Sequence, residues 1–494
     1  MIKRLLILVF WIIAVPCWGF DYLDNDCNDD GDDPTGITWC AAIATTTIDD
    51  SICDGRDCTG GDTIYLEPGT RGYLNITDVM GSVGSYINIT NGPGGRVIIS
   101  DTNNGPKIYI SGTSGYLNIT GDGETGHVWS ADCKTDACYG IKLIHTSADS
   151  TGSGYFRVHD AIDNIKIGYI EIDGANNTSL ITSAIQVQDG TLTDADVYDN
   201  YEIHHNYIHD VSYTSMYLGH NDPVGNTSGY TNDFSIHHNL IEDMGNYGMN
   251  LKGQITGSVS SIYDNIIRRT GTICNNPSAE CYTSTEGDNY ALGIKVLWSY
   301  GTAYTNIYNN WIEYTLGVCL SLGEAAHLVY NNTLLHCGYG TDNTVAGGHG
   351  ILVHEDDYIN NRPDRSVEIY DNKIVESNVY GISSGAAERK ANVNRNIITE
   401  SGTGELSGAG LTEGTDTNPG DCIDAWGILT NCANVYKTDA DDICFTTWLD
   451  DADYSNDDFT LCCAYDYTSV GANLCGAAST APWSGVSCQG CVMN

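Results

Sequence analysis

A short apolar frame, Ile–x–x–Asn–x–Ile, recurs along the middle of the chain. Ile203, Asn206 and Ile208 form its first clear copy, and the copies that follow keep an apolar residue on each side of the asparagine. The separations between successive asparagines are 33, 26, 45, 22, 40 and 24 residues. A repeat of roughly 20–50 residues is typical of a solenoid. The asparagines of the successive copies are Asn206, Asn239, Asn265, Asn310, Asn332, Asn372 and Asn396.

Alternation within the frame predicts β-strands. Ile203 is expected to point into the core and His204 to point out, because successive strand residues face opposite sides. We expect the asparagine to take the turn that follows, since asparagine tolerates a left-handed backbone. A second strand in each coil is predicted from a glycine followed by alternating apolar residues, as at Gly248–Leu251, Gly293–Val296, Gly317–Leu320 and Gly350–Val353.

The repeat resembles that of the right-handed parallel β-helix proteins of the pectate-lyase-like superfamily. "GDTIYLEPGT" at 61–70 resembles the first strand of that family's coils, and "ATTTIDDSIC" at 44–53 resembles its helical N-terminal cap. The resemblance implies an all-β fold: a single-stranded right-handed parallel β-helix with a short N-terminal cap and a disulfide-rich C-terminal cap. It does not fix the activity, because the superfamily includes lyases, hydrolases, epimerases and non-catalytic adhesins.

Four segments are expected. Residues 1–19 have Lys3 and Arg4 before an apolar run, which predicts a secretory signal peptide too short to span a bilayer. Residues 20–60 are read as an acidic segment and cap, 61–415 as the β-helix and 416–494 as a cysteine-rich C-terminal cap. A secreted protein is predicted, either extracellular or periplasmic, and no later segment is expected to span a membrane.

The cysteines fit an oxidising compartment. There are 19, and removing Cys17 with the signal leaves 18, an even number. Closely spaced cysteines predict local disulfides, with zinc binding as the alternative. Cys488 and Cys491 form the only C-x-x-C. The close pairs are Cys53 and Cys58, Cys133 and Cys138, Cys274 and Cys281, and Cys422 and Cys432.

The charge excludes some partners. A net charge of −43, from 64 acidic and 21 basic residues, repels nucleic acid and anionic membranes. It also repels acidic polysaccharides unless a cation bridges the two. Solubility in a salty medium is the alternative reason for this charge. The sequence leaves the oligomeric state open, with a monomer expected.

Two histidine pairs occupy equivalent places in neighbouring coils. His204 and His237 stand where later coils have Tyr263, Tyr308, Tyr330 and Tyr370, so a ladder of rings is predicted. Two other roles stay open for these pairs, which include His205 and His238: metal binding, or a sugar-stacking platform if the ring faces are exposed.

Long insertions flank the second strand of several coils, at 219–232, 271–290, 338–347 and 354–365. They are expected to wall a groove over one sheet, where function tends to lie. The predicted outward residues are Tyr217, Asn250, Lys252, Lys295, Cys319, Ser321, Leu352 and His354. Further polar residues follow these strands at His220, Asp222, Glu324, Glu355, Asp356 and Asp357.

Two lysines on one face of such an acidic chain favour a polysaccharide lyase acting on a uronate polymer by β-elimination. Such an enzyme needs a base and a positive charge near the carboxylate. Lys252, Lys295 and His354 are the candidate catalytic residues. The alternative for the two lysines is that they are solvated charges without a catalytic role. The substrate-binding candidates are Tyr217, Asn250, His220, Glu324 and Glu355.

Two other functions remain open. One is a non-catalytic glycan-binding, adhesive or structural β-helix protein. The other is a glycoside hydrolase, which needs two carboxylates at a defined separation. "GGHGI" at 347–351 resembles the Gly-His-Gly of polygalacturonases, but the accompanying motifs of that family are missing.

Calcium is the predicted cofactor. Asp24, Asp26, Asn28 and Asp30 alternate before Gly31, which places hard oxygen ligands next to a turn. An acidic linker is the alternative. The residue at position 12 from Asp26 is Ile37, where an EF-hand would have glutamate.

Overall fold

The structure is a computed structural model in which three long parallel sheets run side by side. The residues that it describes are 38–53, 58–92, 95–101, 105–121, 138–145, 154–160, 162–175, 182–188, 197–219, 230–254, 257–271, 291–299, 303–323, 327–338, 348–353, 367–384, 391–399, 401–408, 411–413, 435–437, 445–446 and 460–461.

Each coil contributes one strand to each sheet. Sheet 1 consists of Thr38–Ala41, Thr63–Leu66, Ile87–Asn91, Leu117–Thr120, Ile165–Gly168, Tyr201–His204, Ser235–His237, Val259–Tyr263, Tyr304–Tyr308, Leu328–Tyr330, Val367–Tyr370, Ala391–Asn394 and Leu411–Glu413.

Sheet 2 follows sheet 1 across the asparagine turn. Its strands are Gly69–Arg71, Val97–Asp101, Ile141–His145, Ile170–Asp173, Tyr207–His209, Leu240–Met244, Ile266–Thr270, Trp311–Thr315, Thr333–Cys337, Lys373–Val375, Ile397–Thr399 and Val435–Lys437.

Sheet 3 contains three of the four predicted glycine–apolar strands, those that follow Gly248, Gly293 and Gly350. The strand predicted at Gly317–Leu320 instead begins at Leu320 and ends at Leu322. The strands of sheet 3 are Thr47–Ile48, Leu74–Thr77, Ile108–Ser111, Phe156–Val158, Ile185–Val187, Met216–Leu218, Met249–Gln254, Ile294–Ser299, Leu320–Leu322, Ile351–Val353, Tyr380–Ser384 and Gly404–Ser407. The smaller elements are a parallel pair, Val197–Asp199 with Tyr230–Asn232, an antiparallel pair, Phe445–Thr446 with Thr460–Leu461, and a 3-10 helix, Asp50–Cys53.

The register stacks equivalent apolar residues inside the solenoid. Ile203 pairs with Ile236, Ile236 with Ile262 and Ile262 with Ile307, and each of these is 0% exposed. Continuous columns of isoleucine, valine and leucine fill the space between the sheets, so the fold buries its core coil by coil. The predicted all-β right-handed parallel β-helix is thereby confirmed.

The recurring asparagines have a different role from the predicted one. Asn239, Asn265 and Asn310 are buried and hydrogen-bond to one another from coil to coil. The left-handed residue of the turn is instead the one before the asparagine, as at His238 with φ 55° and Asp264 with φ 53°. The asparagine turns inward because its amide satisfies backbone groups at the corner between sheets 1 and 2.

Parallel strand pairing begins before residue 61 and continues after residue 415, the bounds predicted for the β-helix. Thr38–Ala41 pairs in parallel with Thr63–Leu66, so a first strand of sheet 1 lies within residues 20–60. Val435–Lys437 pairs with Ile397–Thr399 and extends sheet 2 past residue 415. Most of the predicted signal peptide, acidic segment and C-terminal cap lies outside the described residues. No helix in the described parts of the chain is long and apolar enough to cross a membrane.

Two disulfides are described. Cys53–Cys58 was predicted from its spacing, whereas Cys319–Cys337 was not. Cys138 is also disulfide-bonded. The prediction of Cys319 as an outward groove residue is wrong, because it is 0% exposed and packs in the core. The pairs predicted for Cys274 with Cys281 and for Cys422 with Cys432 lie outside the described residues.

Candidate functional site

Sheet 3 carries an unusual charge distribution for this acidic chain. Its first eleven strands, from Thr47–Ile48 to Tyr380–Ser384, contain no aspartate or glutamate. The charged residues within these strands are Arg157, Lys252 and Lys295, all basic. These eleven strands therefore carry only positive charge, on a protein of net charge −43.

Five of the predicted outward residues lie in one row across successive coils. Tyr217 pairs with Asn250, Asn250 with Lys295, Lys295 with Ser321, and Ser321 with Leu352. The row faces away from the core, yet its members are only 1–9% exposed. The sequence predicted an open surface, and the row is instead buried, which strengthens the electrostatic interactions within it.

Lys252 lies two residues after Asn250 on the same strand, opposite Leu297 on the neighbouring coil. Its Nζ donates a hydrogen bond to the hydroxyl oxygen of Tyr217 at 2.9 Å and lies 4.8 Å from the centroid of that ring. Burial raises the pKa of Tyr217 well above its ordinary value, and Tyr213 adds to the shift. The phenol therefore stays protonated and is a potential proton donor.

Lys295 contacts a second tyrosine. Its Nζ lies 5.5 Å from the ring centroid of Tyr247, a distance at which a cation is attracted to the ring face. Tyr247 packs with Leu292, Val318 and Leu352 in a small apolar cluster beside the row. The sequence analysis missed Tyr247, although an aromatic residue directly before the repeat glycine, Gly248, was a usable signal.

Asn250 lies between Tyr217 and Lys295 in the row. It is 2% exposed, and its side-chain oxygen has no hydrogen-bond partner among the described residues. A buried acceptor without a donor costs about 1–3 kcal/mol. The Asn250 oxygen, which lies beside two tyrosine–lysine contacts, is therefore suited to accept a hydrogen bond from a hydroxyl group of a ligand.

The other predicted site residues lie outside the part of the chain that the structure describes. They are His220, Glu324, Glu355 and His354, together with the predicted calcium ligands Asp24, Asp26, Asn28 and Asp30. The structure thus aligns Tyr217, Asn250, Lys252 and Lys295 on one face and leaves the roles assigned to all of these residues as predictions.

The predicted ring ladder is present at the edge of sheet 1. Neighbouring centroids from His204 through His237 and Tyr263 to Tyr370 are 4.8–5.3 Å apart, with planes within 17° of parallel. Between His204 and Tyr370, the facing sides of neighbouring rings cover each other. Gly168 closes the ladder against His204, where any Cβ would meet the imidazole at 2.6 Å. A sugar-stacking platform needs open ring faces, so that interpretation is wrong for these rings.

Within each coil the two histidines of a pair meet edge to edge. The Nδ1 atoms of His204 and His205 are 2.9 Å apart, and those of His237 and His238 are also 2.9 Å apart. Burial, followed by the neighbouring imidazoles, lowers the pKa of His205 to about 3 and that of His238 to about 4.

A further polar cluster lies on sheet 2. Ligand atoms of Glu171, Asp173 and His209 lie within 4.8 Å of one another, a separation at which they could hold a metal ion. Lys142 already fills this position, however, with its Nζ 2.6 Å from Glu171 and 2.7 Å from Asp173. Arg96 pairs with the same glutamate. The cluster is a neutralised ion-pair network and does not fit a calcium ion.

The chain is remotely similar to several solved enzyme structures. No protein-family model matches it, and no curated protein matches it significantly. A GH136 lacto-N-biosidase from Eubacterium ramulus is 12% identical with a TM-score of 0.44, covering 81% of this chain and 68% of that one. An alginate lyase from Paenibacillus sp. str. FPU-7 is 13% identical with a TM-score of 0.37, covering 76% and 99%. A rhamnogalacturonan lyase is 13% identical with a TM-score of 0.33, covering 92% and 100%. At these identities the likeness concerns the fold alone.

Proposed function

We propose that the protein is a polysaccharide lyase that cleaves an acidic, uronate-containing polysaccharide by β-elimination. The observation that carries this proposal is the charge of sheet 3. Its first eleven strands contain three basic residues and no acidic one. An acidic chain with a cationic, tyrosine-lined sheet is suited to an anionic ligand, since the rest of its surface repels such a ligand.

Lys295 would neutralise the uronate carboxylate. Its buried ammonium group lies in the same row as Tyr217 and Asn250, so a sugar held above the row would present its carboxylate there. Neutralising the carboxylate makes the neighbouring C5 proton more acidic and stabilises the enolate-like intermediate. The orphaned oxygen of Asn250 would accept a hydrogen bond from a hydroxyl of the same sugar.

Lys252 and Tyr217 would then move the proton. In its amine form, which the charge of Lys295 on the next coil favours, Lys252 takes the C5 proton. Its N–H already donates to the Tyr217 oxygen at 2.9 Å, so Tyr217 can pass its own proton to the leaving glycosidic oxygen. A C4–C5 double bond forms, the C4–O bond breaks, and both side chains regain their starting protonation.

A glycoside hydrolase receives less support. Hydrolysis needs two carboxylates about 5–9.5 Å apart across the scissile bond. The first eleven described strands of sheet 3 offer none. Lys252 and Tyr217 instead supply the proton-transfer groups that an elimination requires.

Calcium and export complete the proposal. We propose that Ca²⁺ bridges carboxylates of the polymer and the acidic protein surface beyond the cationic sheet. The disulfides Cys53–Cys58 and Cys319–Cys337 support function in an oxidising compartment, outside the cytoplasm.

A panel of polysaccharides tests the function. The protein is incubated with several uronate polymers and with neutral polymers, and the absorbance of unsaturated ends is followed beside the release of reducing ends. A lyase produces both signals with a uronate polymer. Reducing ends without unsaturated ends would establish hydrolysis, and binding without either signal would establish a non-catalytic glycan-binding protein.

A further inference from the structure

Four histidines at the corner between sheets 1 and 2 form a compact group, which we call the histidine quartet: His204, His205, His237 and His238. Consecutive residues of a strand normally point to opposite faces. Here the second histidine of each pair has a left-handed backbone, with φ of 54° at His205 and 55° at His238. The left-handed step brings both rings of a pair to the same side, so their Nδ1 atoms meet.

The distance within each pair suits a chelated metal ion. Metal–nitrogen bonds to histidine are about 2.0–2.1 Å, so two nitrogens 2.9 Å apart subtend about 90° at an ion bound to both. An angle of about 90° belongs to square-planar or tetragonal coordination, which Cu²⁺ and Ni²⁺ prefer. Tetrahedral Zn²⁺ would need nitrogens about 3.3–3.4 Å apart.

The two pairs cannot converge on one ion. Their rings are stacked across the coils, with centroids 5.3 Å apart for His204 and His237 and 4.8 Å apart for His205 and His238. Tyr169 stacks on His205 at 4.9 Å and Tyr263 on His237 at 4.8 Å, which fixes the imidazoles from both sides. Each coil therefore presents its own two-nitrogen chelate.

Carboxylates behind the rings favour the ligating tautomer. Nε2 of His237 lies 3.4 Å from Glu202, within hydrogen-bond distance, whereas Nε2 of His238 lies 3.8 Å from Asp264, beyond that distance, so Asp264 acts on it only through its charge. A proton held on Nε2 by a carboxylate leaves Nδ1 as the lone-pair donor, which is the arrangement that orients histidine ligands in metal sites. The rings are partly exposed, with side-chain exposures of 11% for His237 and 14% for His238, so an ion can reach them.

We propose that the histidine quartet binds two divalent ions of the copper or nickel type, one to each adjacent histidine pair. In each coil the ion lies between the two Nδ1 atoms. The proton that lies between these atoms in the metal-free pair is lost to water, and Nε2 of the same ring takes up a proton, so both imidazoles bind as neutral ligands and water completes the coordination. The quartet lies at the corner of sheets 1 and 2, whereas the candidate lyase site lies on sheet 3, so this site is separate from the proposed activity.

The repeat itself supplies variants that preserve the fold. Tyrosine occupies the position of His204 and His237 in four later coils, so His204→Tyr and His237→Tyr remove the ligands while continuing the ring ladder. Asparagine occupies the left-handed position at Asn309 and Asn331, so His205→Asn and His238→Asn are matched in the same way. Circular dichroism checks that each variant is folded.

The full-length protein, stripped of metal, is titrated with Cu²⁺, Ni²⁺ and Zn²⁺, and bound copper is examined by electron paramagnetic resonance. We expect two Cu²⁺ per chain with an axial spectrum and nitrogen hyperfine splitting. His204→Tyr should remove one ion and the double variant His204→Tyr/His237→Tyr both, while His159→Gln, which replaces a histidine paired with Asp160 outside the quartet, should remove none. Glu202→Gln should weaken copper binding roughly 10–100-fold.

Two results would overturn the proposal. Unchanged copper stoichiometry and spectrum in the folded double variant would place the bound metal elsewhere. Zn²⁺ binding to the quartet as tightly as Cu²⁺ would contradict the planar chelate that the 2.9 Å separation indicates.

Discussion

The Nζ atom of Lys252 lies 2.9 Å from the hydroxyl oxygen of Tyr217 on the preceding coil. This contact joins a cation to a buried phenol on a sheet whose first eleven strands hold no carboxylate. A structural contact would tolerate the loss of the hydroxyl, because Lys252 also lies over the face of the ring. A proton relay would not, and this difference separates the two roles experimentally.

Tyr217→Phe should therefore lower turnover of a uronate polymer by about 10²–10⁴-fold, the range for loss of a general acid or base. The ring and its contact with Lys252 remain, so KM should change little. Tyr109→Phe is the matched control, since Tyr109 lies in the same outward row three strands earlier. Full turnover by Tyr217→Phe would remove Tyr217 from the mechanism.

Lys295→Met should weaken binding of acidic polymers. The substitution keeps the apolar stem beside Tyr247 but removes a charge that is only 6% exposed. A buried charge is poorly screened by salt and contributes more to the free energy of binding than an exposed one. We therefore expect at least about a tenfold rise in Kd and a weaker dependence of binding on salt. Calorimetry with a uronate oligomer measures both. Equal affinity and salt dependence in the variant would show that Lys295 does not contact the carboxylate.

The sequence predicted the register of this site better than its environment. Counting from Gly248 and Gly293 places Lys252 two residues further along its strand than Lys295. The pairing of Asn250 with Lys295 confirms that offset. Burial of the row could not be predicted, because strand periodicity distinguishes the two faces of a sheet and not what covers them. The bond between Cys319 and Cys337 was missed for a related reason: 18 residues separate them, and only coil stacking brings them together.

Calcium dependence follows from the charge of the whole chain. The net charge of −43 repels an acidic polymer, whereas the basic strands of sheet 3 attract it. We expect excess chelator to reduce binding of a uronate polymer and added Ca²⁺ to restore it, as measured by affinity electrophoresis. A neutral polymer is the control and should show no response. Unchanged binding with chelator would show that the lysines alone overcome the repulsion.

The asparagine ladder should be a major source of stability. The two hydrogens of Asn265 Nδ2 are shared among three carbonyl oxygens at 2.9–3.0 Å, those of the Ile236 and Tyr263 backbone and of the Asn310 side chain. The side-chain oxygen of Asn265 accepts from the backbone and side chain of Asn239. Asn265→Ala leaves several buried polar groups without a hydrogen-bond partner, so we expect the free energy of unfolding to fall by about 3 kcal/mol or more.

Urea denaturation measures this loss. Asn306→Ala is the comparison variant, because Asn306 lies on the outer face of the neighbouring coil, and it should change stability by no more than about 0.5 kcal/mol. Similar midpoints for both variants would show that the buried ladder does not stabilise the solenoid.

Stability should also fall with rising pH through His209. Burial lowers the pKa of this imidazole, but hydrogen bonds to Asp210 at 2.8 Å and Glu171 at 3.3 Å outweigh burial and raise the pKa to about 9. The folded pKa exceeds the ordinary value of 6.5, so the contribution is complete below pH 6.5 and disappears as the pH rises through about 9. At about 1.4 kcal/mol per pKa unit, it is at most about 3 kcal/mol. We expect the urea midpoint of the wild type to fall between pH 6.5 and 9, and that of His209→Gln to be lower at pH 6 and nearly flat over the same interval. A wild-type decline that persists in the variant would assign the pH dependence to other groups.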